Sequence, residues 1–319
     1  MKAVFLDSKT FSSSISFNGI AEQCSEFINY GFTSKEQIIP RCKNAEIIIT
    51  NKVELTDHII AQLPKLKLIC VAATGTNNVD LNAAQQQNIT VKNVSNYAGT
   101  TIAQYVFAQL LEYFQHINSH NNDVKQGLWQ QNSTTDSSFC YHGNAIEELA
   151  GKTLGIIGYG NLGKSVEKVA QALAMNILIS EHKGATKIRA GRVSFEALLS
   201  NADIISLHCP QNPQTINLID SSALSLMKSQ AILINTARGA LIDDLALITA
   251  LKNQQIAYAI VDVLDQEPPS ANHPLLEYQR TAQANNLTIT AHIAWASMQS
   301  QQRLINILAT NIKNFKLAN

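Results

Sequence analysis

The stretch "KTLGIIGYGNLGKSVEKVAQALA", residues 152–174, is the most informative part of the chain about its fold. The short apolar run 154–157 leads directly into Gly158, Gly160 and Gly163. A stripe of apolar residues at helical spacing follows: Val166, Val169, Ala170, Leu173 and Ala174. A strand, a glycine-rich turn and a helix in this order are typical of the first unit of a doubly wound parallel sheet. The segment therefore predicts an α/β domain built around it.

Each glycine of this turn answers a separate physical demand. Gly158 permits the tight turn, Gly160 lets backbone approach a pyrophosphate, and Gly163 lets the helix pack closely on the strand. The N–H groups and the dipole at the start of the helix can then hold the phosphates. The pattern predicts a dinucleotide site.

The next strand, "NILIS", ends at Glu181, 18 residues after Gly163. A carboxylate at this position can accept hydrogen bonds from both ribose hydroxyls and repel a 2′-phosphate. Glu181 therefore favours NAD over NADP, although His182 and Lys183 beside it could soften the exclusion of NADP. A dinucleotide site needs such an acidic residue in addition to the three glycines, and Glu181 supplies it.

Short apolar runs alternate with helical patterns along the rest of the chain. Most of the runs are continuous rather than alternating in polarity, which is typical of parallel strands covered on both faces. Two apolar stripes predict longer helices, one over 103–114 and one over 305–315. Predicted strands lie within "KAVFLD", "AEIIIT", "LKLICVA", "ITVKNV", "TLGIIG", "NILIS", "ADIISLH", "AILIN", "IAYAIVDV" and "LTIT".

The composition excludes several classes of protein. The 319 residues suffice for two domains, and 45% of them are hydrophobic. Lys plus Arg equal Asp plus Glu at 24 each, so the net charge is zero. The chain therefore has no excess of positive charge that would attract nucleic acid or an anionic membrane. We find neither a signal-peptide pattern nor an apolar run long enough for a membrane span. Five cysteines without a CxxC pair indicate reduced thiols in the cytoplasm. We expect no metal site.

Polar side chains follow three of the predicted strands downstream of the glycines. Arg238 follows "AILIN", Glu267 follows "IAYAIVDV", and His292 follows "LTIT". Because ligands bind at the carboxyl ends of strands in such sheets, the three can converge on one crevice. Arg238 can clamp a carboxylate and a keto oxygen, and His292 can give a proton to that oxygen. Glu267 can orient the imidazole and favour its charged form.

These segments resemble the D-isomer-specific 2-hydroxyacid dehydrogenases over essentially the whole chain. "GYGNLG" looks like the nucleotide loop of that family, and "NTARGALID" looks like its arginine segment. "DVLDQEP" looks like its glutamate segment, and "AHIAWAS" looks like its histidine segment. The resemblance implies that Arg238 orients the substrate and that His292, assisted by Glu267, donates the proton. "AATGTNNVD", 72–80, resembles the substrate loop, where N–H groups near Gly75 and Thr76 would hold a carboxylate.

The resemblance also implies the remaining cofactor contacts and the domain plan. Asp262 would bind the nicotinamide carboxamide, and "HCP" would line the adenosine side. Two Rossmann-like doubly wound parallel-sheet domains with an interdomain cleft are expected. Residues 1–98 and 291–319 would form a flavodoxin-like substrate domain, and residues 99–290 a dinucleotide-binding domain that forms a homodimer. The expected NAD contacts are Gly158, Gly160, Asn161, Leu162, Gly163, Glu181, His208, Cys209, Pro210, Thr236, Ala237 and Asp262.

Two departures from the family pattern leave these residues intact. Ala291 stands where many members have proline, and Ile102-Ala103-Gln104 stands where many have Val-Ala-Glu. The second departure, in the first long helix, is expected to reshape the surface between the two domains slightly.

Two segments narrow the expected substrate. "SSFCYHGNAIEELAGKTLGIIGYGNLGKSV" and "SEHKG" look most like members that reduce hydroxypyruvate to D-glycerate. Glyoxylate and D-lactate remain alternative substrates, and phosphoglycerate is disfavoured because no basic cluster stands near the substrate loop. An NADH-sensing binding protein or corepressor is the alternative from another class.

Overall fold

The computed structural model describes residues 1–130, 139–281 and 285–318. The chain divides into two compact units, the first comprising Met1–Ala98 with Trp295–Asn319 and the second Gly99–Ala294. Each unit contains one parallel sheet with helices between its strands. The predicted fold class, two Rossmann-like parallel-sheet domains, is confirmed.

The first unit is built on a five-stranded sheet with the order β2-β1-β3-β4-β5. This is the flavodoxin-like doubly wound order. Strands β3 and β4 are buried along their whole length, as their continuous apolar sequences predict. The strands are β1 (Lys2–Phe5), β2 (Glu26–Asn29), β3 (Ile47–Thr50), β4 (Leu68–Val71) and β5 (Thr90–Lys92). The helices between them are α1 (Asn18–Ala21), α2 (Lys35–Cys42), α3 (Asp57–Ala61) and α4 (Leu81–Gln86).

Strand β2 is the one strand of this sheet that the apolar pattern does not predict. Its sequence "EFIN" leaves both end residues exposed and the middle two half-buried, because it lies at the edge of the sheet. An edge strand has no need of a continuous apolar run, so it lacks the signal that marks the central strands.

The second unit carries a six-stranded parallel sheet with the order β11-β10-β9-β8-β6-β7. Chain order reverses between β6 and β8, and this switch point is where ligands bind in such sheets. The strands are β6 (Thr153–Ile157), β7 (Asn176–Ile179), β8 (Ile204–Leu207), β9 (Ile232–Asn235), β10 (Tyr258–Val261) and β11 (Leu287–Ile289). The helices are α5 (Gly99–Gln115), α6 (Ile117–Lys125), α7 (Asn161–Ala172), α8 (Phe195–Asn201), α9 (Ser221–Leu226), α10 (Asp244–Lys252) and α11 (Pro274–Gln279).

The two predicted apolar stripes lie on the two longest helices. Helix α5 buries Ala103, Val106, Phe107, Leu110 and Phe114 of the first stripe. Helix α12 (Met298–Ala318), in the first unit, buries Ile305, Leu308 and Ile312 of the second. Within the described ranges, no helix has the length and apolar character that a membrane crossing needs.

The boundary near His292 differs from the one drawn on the sequence. Residues 291–294, which the sequence assigned to the substrate domain, belong to the second unit. The physical reason is that the backbone N–H groups of His292, Ile293 and Ala294 all donate to Asp262, at the end of β10.

Candidate active site

The turn after β6 has the geometry that a pyrophosphate requires. Gly158 has φ +96, and a Cβ there would lie 2.3 Å from the backbone nitrogen of Cys209. A Cβ on Gly163 would lie 2.4 Å from the carbonyl oxygen of Gly158, whereas one on Gly160 would meet nothing within 4 Å. No side chain caps helix α7, which begins at Asn161 with Leu162 in its first turn. The N-terminal N–H groups of α7 can therefore serve an anion.

A cavity of about 540 Å³ opens beside this turn. It contains the ends of β6, β7 and β8, so it lies at the switch point of the sheet. Six of the residues that the sequence assigned to the cofactor line it together: Gly158, Gly160, Glu181, His208, Cys209 and Pro210. The residues present thus fit the adenosine part of a dinucleotide.

His208 lies in the wall of this cavity as a neutral imidazole. Its Nε2 is 2.9 Å from the hydroxyl of Ser206. Burial lowers the pKa of His208 to about 4, because the charged form would lose its hydration. The imidazole therefore offers the cavity an uncharged polar surface at neutral pH.

We expect His208 to make the protein less stable as the pH falls from about 6.5 to 4. Between these pH values His208 is protonated in the unfolded chain but stays neutral in the folded chain, which favours unfolding. Above about pH 6.5 His208 is neutral in both states, so the effect is absent. His208→Gln should flatten the fall in the free energy of unfolding by roughly 2–3 kcal/mol, since one pKa unit corresponds to about 1.4 kcal/mol. Urea denaturation at pH 4, 5.5 and 7 measures this. The exposed His58, changed to Gln, is the control, and parallel pH profiles for His208→Gln and wild type would contradict the assignment.

Glu181 is not a free carboxylate at the end of its strand. Arg189 donates to it twice, with Nε 2.7 Å from Oε2 and an Nη 2.5 Å from Oε1. The hydrogen bond from the Arg189 side chain holds the pKa of Glu181 down at about 2, and the side chain is 3% exposed. Lys183 is also engaged, because its Nζ lies 2.8 Å from Asp220. That Glu181 binds the ribose stays a prediction, and its acceptor sites are occupied by the chain itself.

Arg238 lies on a turn that the side chain of Asn235 shapes. Asn235 donates to the carbonyl of Arg238 at 2.8 Å and accepts from the N–H of Ala237 at 3.0 Å. In the described part of the chain, the buried hydroxyl of Thr236 has no hydrogen-bond partner. Thr236 can therefore serve a ligand, as its assignment to the cofactor requires. This turn follows β9, next to β10 in the sheet.

The arginine turn packs directly on the loop that carries Glu267. A Cβ on Gly239 would lie only 1.9 Å from the carbonyl carbon of Leu264. Only glycine allows this approach, so the residue after Arg238 must lack a side chain. The N–H of Leu264 in turn donates to Oε1 of Glu267 at 2.9 Å. The backbone thereby ties the arginine turn to the carboxylate.

His292 and Glu267 form a close pair in the second unit. Nδ1 of His292 lies 2.5 Å from Oε2 of Glu267, and both side chains are only partly exposed. The backbone of His292 is left-handed, with φ +53. The carboxylate fixes one ring nitrogen, which leaves Nε2 to act on a ligand. The geometry is that of an acid/base imidazole held by an orienting carboxylate.

Asp262 holds the loop of His292 in place, a role that the sequence did not reveal. Its carboxylate accepts from the N–H groups of Ile293 and Ala294 at 2.9 and 2.8 Å, and its carbonyl accepts from the N–H of His292 at 2.8 Å. The hydroxyl of Thr290 also donates to it at 2.6 Å. Burial raises the pKa of Asp262. Its expected contact with the nicotinamide carboxamide stays a prediction.

The predicted substrate loop belongs to the first unit and follows β4. Its N–H groups at Gly75 and Thr76 make no hydrogen bond among the residues described, so they are available to an anion. The loop is held from its flanks, because Asn93 donates to the carbonyl of Thr74 at 2.6 Å and Asn78 to that of Val53 at 3.1 Å. A donor pair on a held loop suits a carboxylate.

Comparison with known proteins identifies the class of this site. Residues 107–294 match the NAD binding domain of the D-isomer specific 2-hydroxyacid dehydrogenases. The chain is 40% identical to the glycerate dehydrogenase of Methylorubrum extorquens, over 98% of this chain and 96% of that one. It is 34% identical to the hydroxypyruvate reductase of Blautia hydrogenotrophica, over 92% and 89% of the two chains. The chain belongs to the D-2-hydroxyacid dehydrogenase family.

The solved structures agree with this membership. An acyclic imino acid reductase, solved with NADPH and D-Arg, superposes with a TM-score of 0.83 at 28% identity, covering 100% of this chain and 98% of that one. Its membership of this family makes the protein an NAD-dependent oxidoreductase that acts on the CH–OH group, and the prediction of its family, its enzyme class and its cofactor is confirmed.

Proposed function

We propose that this protein uses NADH to reduce hydroxypyruvate to D-glycerate. The observation that carries the proposal is the pair formed by His292 and Glu267, 2.5 Å apart, beside a turn that presents Arg238. A proton donor, its orienting carboxylate and a guanidinium are the groups that reduction of a 2-keto acid demands. The names of the two relatives support the choice of substrate.

Three side chains divide the work of the reaction. Arg238 binds the carboxylate and keto oxygen of the substrate through its planar fork and polarises the carbonyl. His292 gives the proton on Nε2 to that oxygen, while Glu267 holds Nδ1. The turn of Gly158 and Gly160 and the start of α7 would hold NADH, which would supply the hydride for the keto carbon. The His292 side chain keeps 25% of its surface exposed, so water can return the lost proton.

A panel of keto acids tests the substrate. We expect kcat/KM with NADH to be higher for hydroxypyruvate than for glyoxylate, pyruvate or phosphohydroxypyruvate. The names of the two relatives favour hydroxypyruvate. The loop 72–80 contains no lysine or arginine, so it offers no charge to the phosphate of phosphohydroxypyruvate. Loss of NADH absorbance gives the rates. Preference for another acid would reassign the substrate, and tight NADH binding without turnover of any acid would indicate an NADH-sensing protein.

We further propose that the protein acts in the cytoplasm as a homodimer. All five cysteines are free thiols, which is typical of a reducing compartment. A group of large apolar side chains is exposed on the second unit, and such a patch is typical of a protein interface. We call it the apolar patch; it consists of Ile117, Val124, Trp129, Phe139 and Ile146.

Charge placed on the apolar patch should split the dimer. Ile117→Glu combined with Ile146→Glu should convert the wild-type dimer into a monomer, because each buried glutamate would lose its hydration without a partner. Sedimentation velocity measures the mass. Leu317→Glu, at an exposed apolar residue of the first unit, is the control. A wild type that sediments as a monomer, or a double variant that stays dimeric, would refute this assignment.

A further inference from the structure

The carboxylate of Glu181 is saturated by its own chain. Besides the two hydrogen bonds from the Arg189 side chain, it accepts from the N–H groups of His182 at 3.1 Å and Arg189 at 3.4 Å. A carboxylate offers about four lone-pair sites, and all are used here. The ribose hydroxyls of a bound nucleotide would have to displace one of these donors. The usual reason for excluding a 2′-phosphate, an unpaired carboxylate, is therefore missing.

A second guanidinium stands beside this pair. Arg192 donates to the carbonyl of Ser180 at 3.1 Å, and its closest carboxylate oxygen is that of Glu181 at 4.0 Å. Its side chain is 18% exposed, whereas that of Arg189 is 54% exposed. Both arginines belong to the loop after β7, which bends back to the strand end. The Glu181 carboxylate is thus paired with one guanidinium group and lies 4.0 Å from a second.

The charges around this point do not cancel. Arg189, Arg192 and Lys183 stand against the carboxylates of Glu181 and Asp220, which leaves an excess of one positive charge. His182, with 83% of its side chain exposed, also lies beside Glu181. Arg192 faces the ring of Tyr159 at 5.9 Å, and the two charged groups at that ring, Glu167 and Lys164, are opposite in sign, so the excess is unchanged. An anion brought here would be attracted rather than repelled.

The excess charge faces the cofactor cavity. Both arginines line the cavity of about 540 Å³ that also contains Gly158 and Gly160. A nucleotide with its pyrophosphate at the glycine turn places its adenosine ribose at the end of the second strand of the unit, β7. The 2′-oxygen of that ribose then falls near the arginine loop. A phosphate there can be bound by guanidinium forks.

We propose that Arg189 and Arg192 form a 2′-phosphate site, so that the protein binds NADPH as well as NADH. The proposal concerns the cofactor site of the proposed function and rests on it. Arg189 neutralises Glu181 and presents its outer face, and Arg192 supplies the second fork. In this arrangement the arginines, and not a free carboxylate, determine whether a 2′-phosphate is accepted. Glu181 holds the side chain of Arg189 in position.

Two nucleotide fragments that differ only in the 2′-phosphate test this site without turnover. Isothermal titration at physiological salt should give 2′,5′-ADP an affinity at least equal to that of 5′-AMP. Arg192→Ala should weaken 2′,5′-ADP about tenfold or more and leave 5′-AMP within about twofold, as the loss of a charge-assisted contact predicts. Arg189→Ala should weaken 2′,5′-ADP and strengthen 5′-AMP, because it frees the Glu181 carboxylate for the ribose.

The control removes a charge from the same loop outside the cavity. Lys187 is exposed and does not line the cavity, so Lys187→Ala should bind both fragments as the wild type does. A wild type that binds 2′,5′-ADP more weakly than 5′-AMP, or arginine variants that bind both fragments unchanged, would overturn the proposal. NADH-dependent reduction of hydroxypyruvate is measured on the same preparation, so that failure of the proposed function is seen separately.

Discussion

Replacing His292 with asparagine should lower kcat for keto-acid reduction by about 10³-fold, within the range that a positioned acid/base group contributes. Asparagine is the informative substitution because the backbone at His292 is left-handed, with φ +53, and asparagine tolerates that conformation well. The fold should therefore persist while the proton donor is lost. Stopped-flow rates give kcat, and quenching of protein fluorescence by NADH gives Kd. We expect Kd to stay within about twofold, since His292 acts on the substrate oxygen.

Two further variants separate the chemistry from the backbone. His116 has the same left-handed conformation, with φ +49, so His116→Asn carries the same change without the acid/base role. Glu267→Gln should also lower kcat, because the N–H of Leu264 keeps the amide oxygen and turns the amide nitrogen toward Nδ1 of His292. Residues that act as a unit lose activity non-additively. The double variant should thus be no slower than His292→Asn, and an additive loss would show that the two residues act separately.

Replacing Arg238 with lysine should reduce kcat/KM for hydroxypyruvate by about 100-fold, with the fold and NADH binding retained. The planar fork of arginine can bind two oxygen atoms at once, which the point charge of lysine cannot reproduce. A substrate that is held by one contact loses the orientation that hydride transfer requires. A small misplacement of the reacting atoms lowers the rate by about 10²-fold. Initial rates over a range of hydroxypyruvate concentrations measure the loss.

Arg41 offers a matched control for this substitution. It makes hydrogen bonds to the carbonyl of Phe32 and the hydroxyl of Thr33 and stacks on Tyr30, in the first unit. Arg41→Lys makes the same chemical change as Arg238→Lys at a site away from the proposed substrate. It should therefore leave kcat/KM near the wild-type value. If Arg238→Lys retains the wild-type kcat/KM, Arg238 does not bind the substrate.

The central strands and the strand ends could be predicted from sequence for one physical reason. Parallel strands buried on both faces need continuous apolar runs, and their carboxyl ends meet at one edge of the sheet. Arg238, Glu267 and His292 follow three strands that are neighbours in the sheet, and the structure brings Glu267 and His292 into contact. The roles of these residues in catalysis stay predictions until the variants are measured.

The surroundings of Glu181 could not be predicted in the same way. Arg189 lies eight residues further on in an irregular loop, and no periodicity indicates that the loop folds back on the strand end. A carboxylate at this position favours NAD only if it is unpaired, and pairing is a property of the folded loop. Glu181 does line the cavity, and its role toward the cofactor stays a prediction. The sequence could not reveal that Arg189 pairs with its carboxylate.

The scaffold around His292 was hidden for a related reason. Asp262 accepts from backbone N–H groups, and such hydrogen bonds leave no trace in residue types. Gly239 carries a weak signal, since a glycine directly after an arginine at a strand end suggests a close approach. Only the structure shows that the backbone of Leu264 is what packs against Gly239.

The most direct test of this proposed reaction is a single turnover with analysis of the product. The NADH complex of the protein is mixed with hydroxypyruvate, the loss of NADH is followed by absorbance, and the glycerate formed is resolved on a chiral column. We expect one D-glycerate for each NADH oxidised by the wild type, and a rate about 10³-fold lower for His292→Asn. Formation of L-glycerate, or an undiminished rate for His292→Asn, would contradict it.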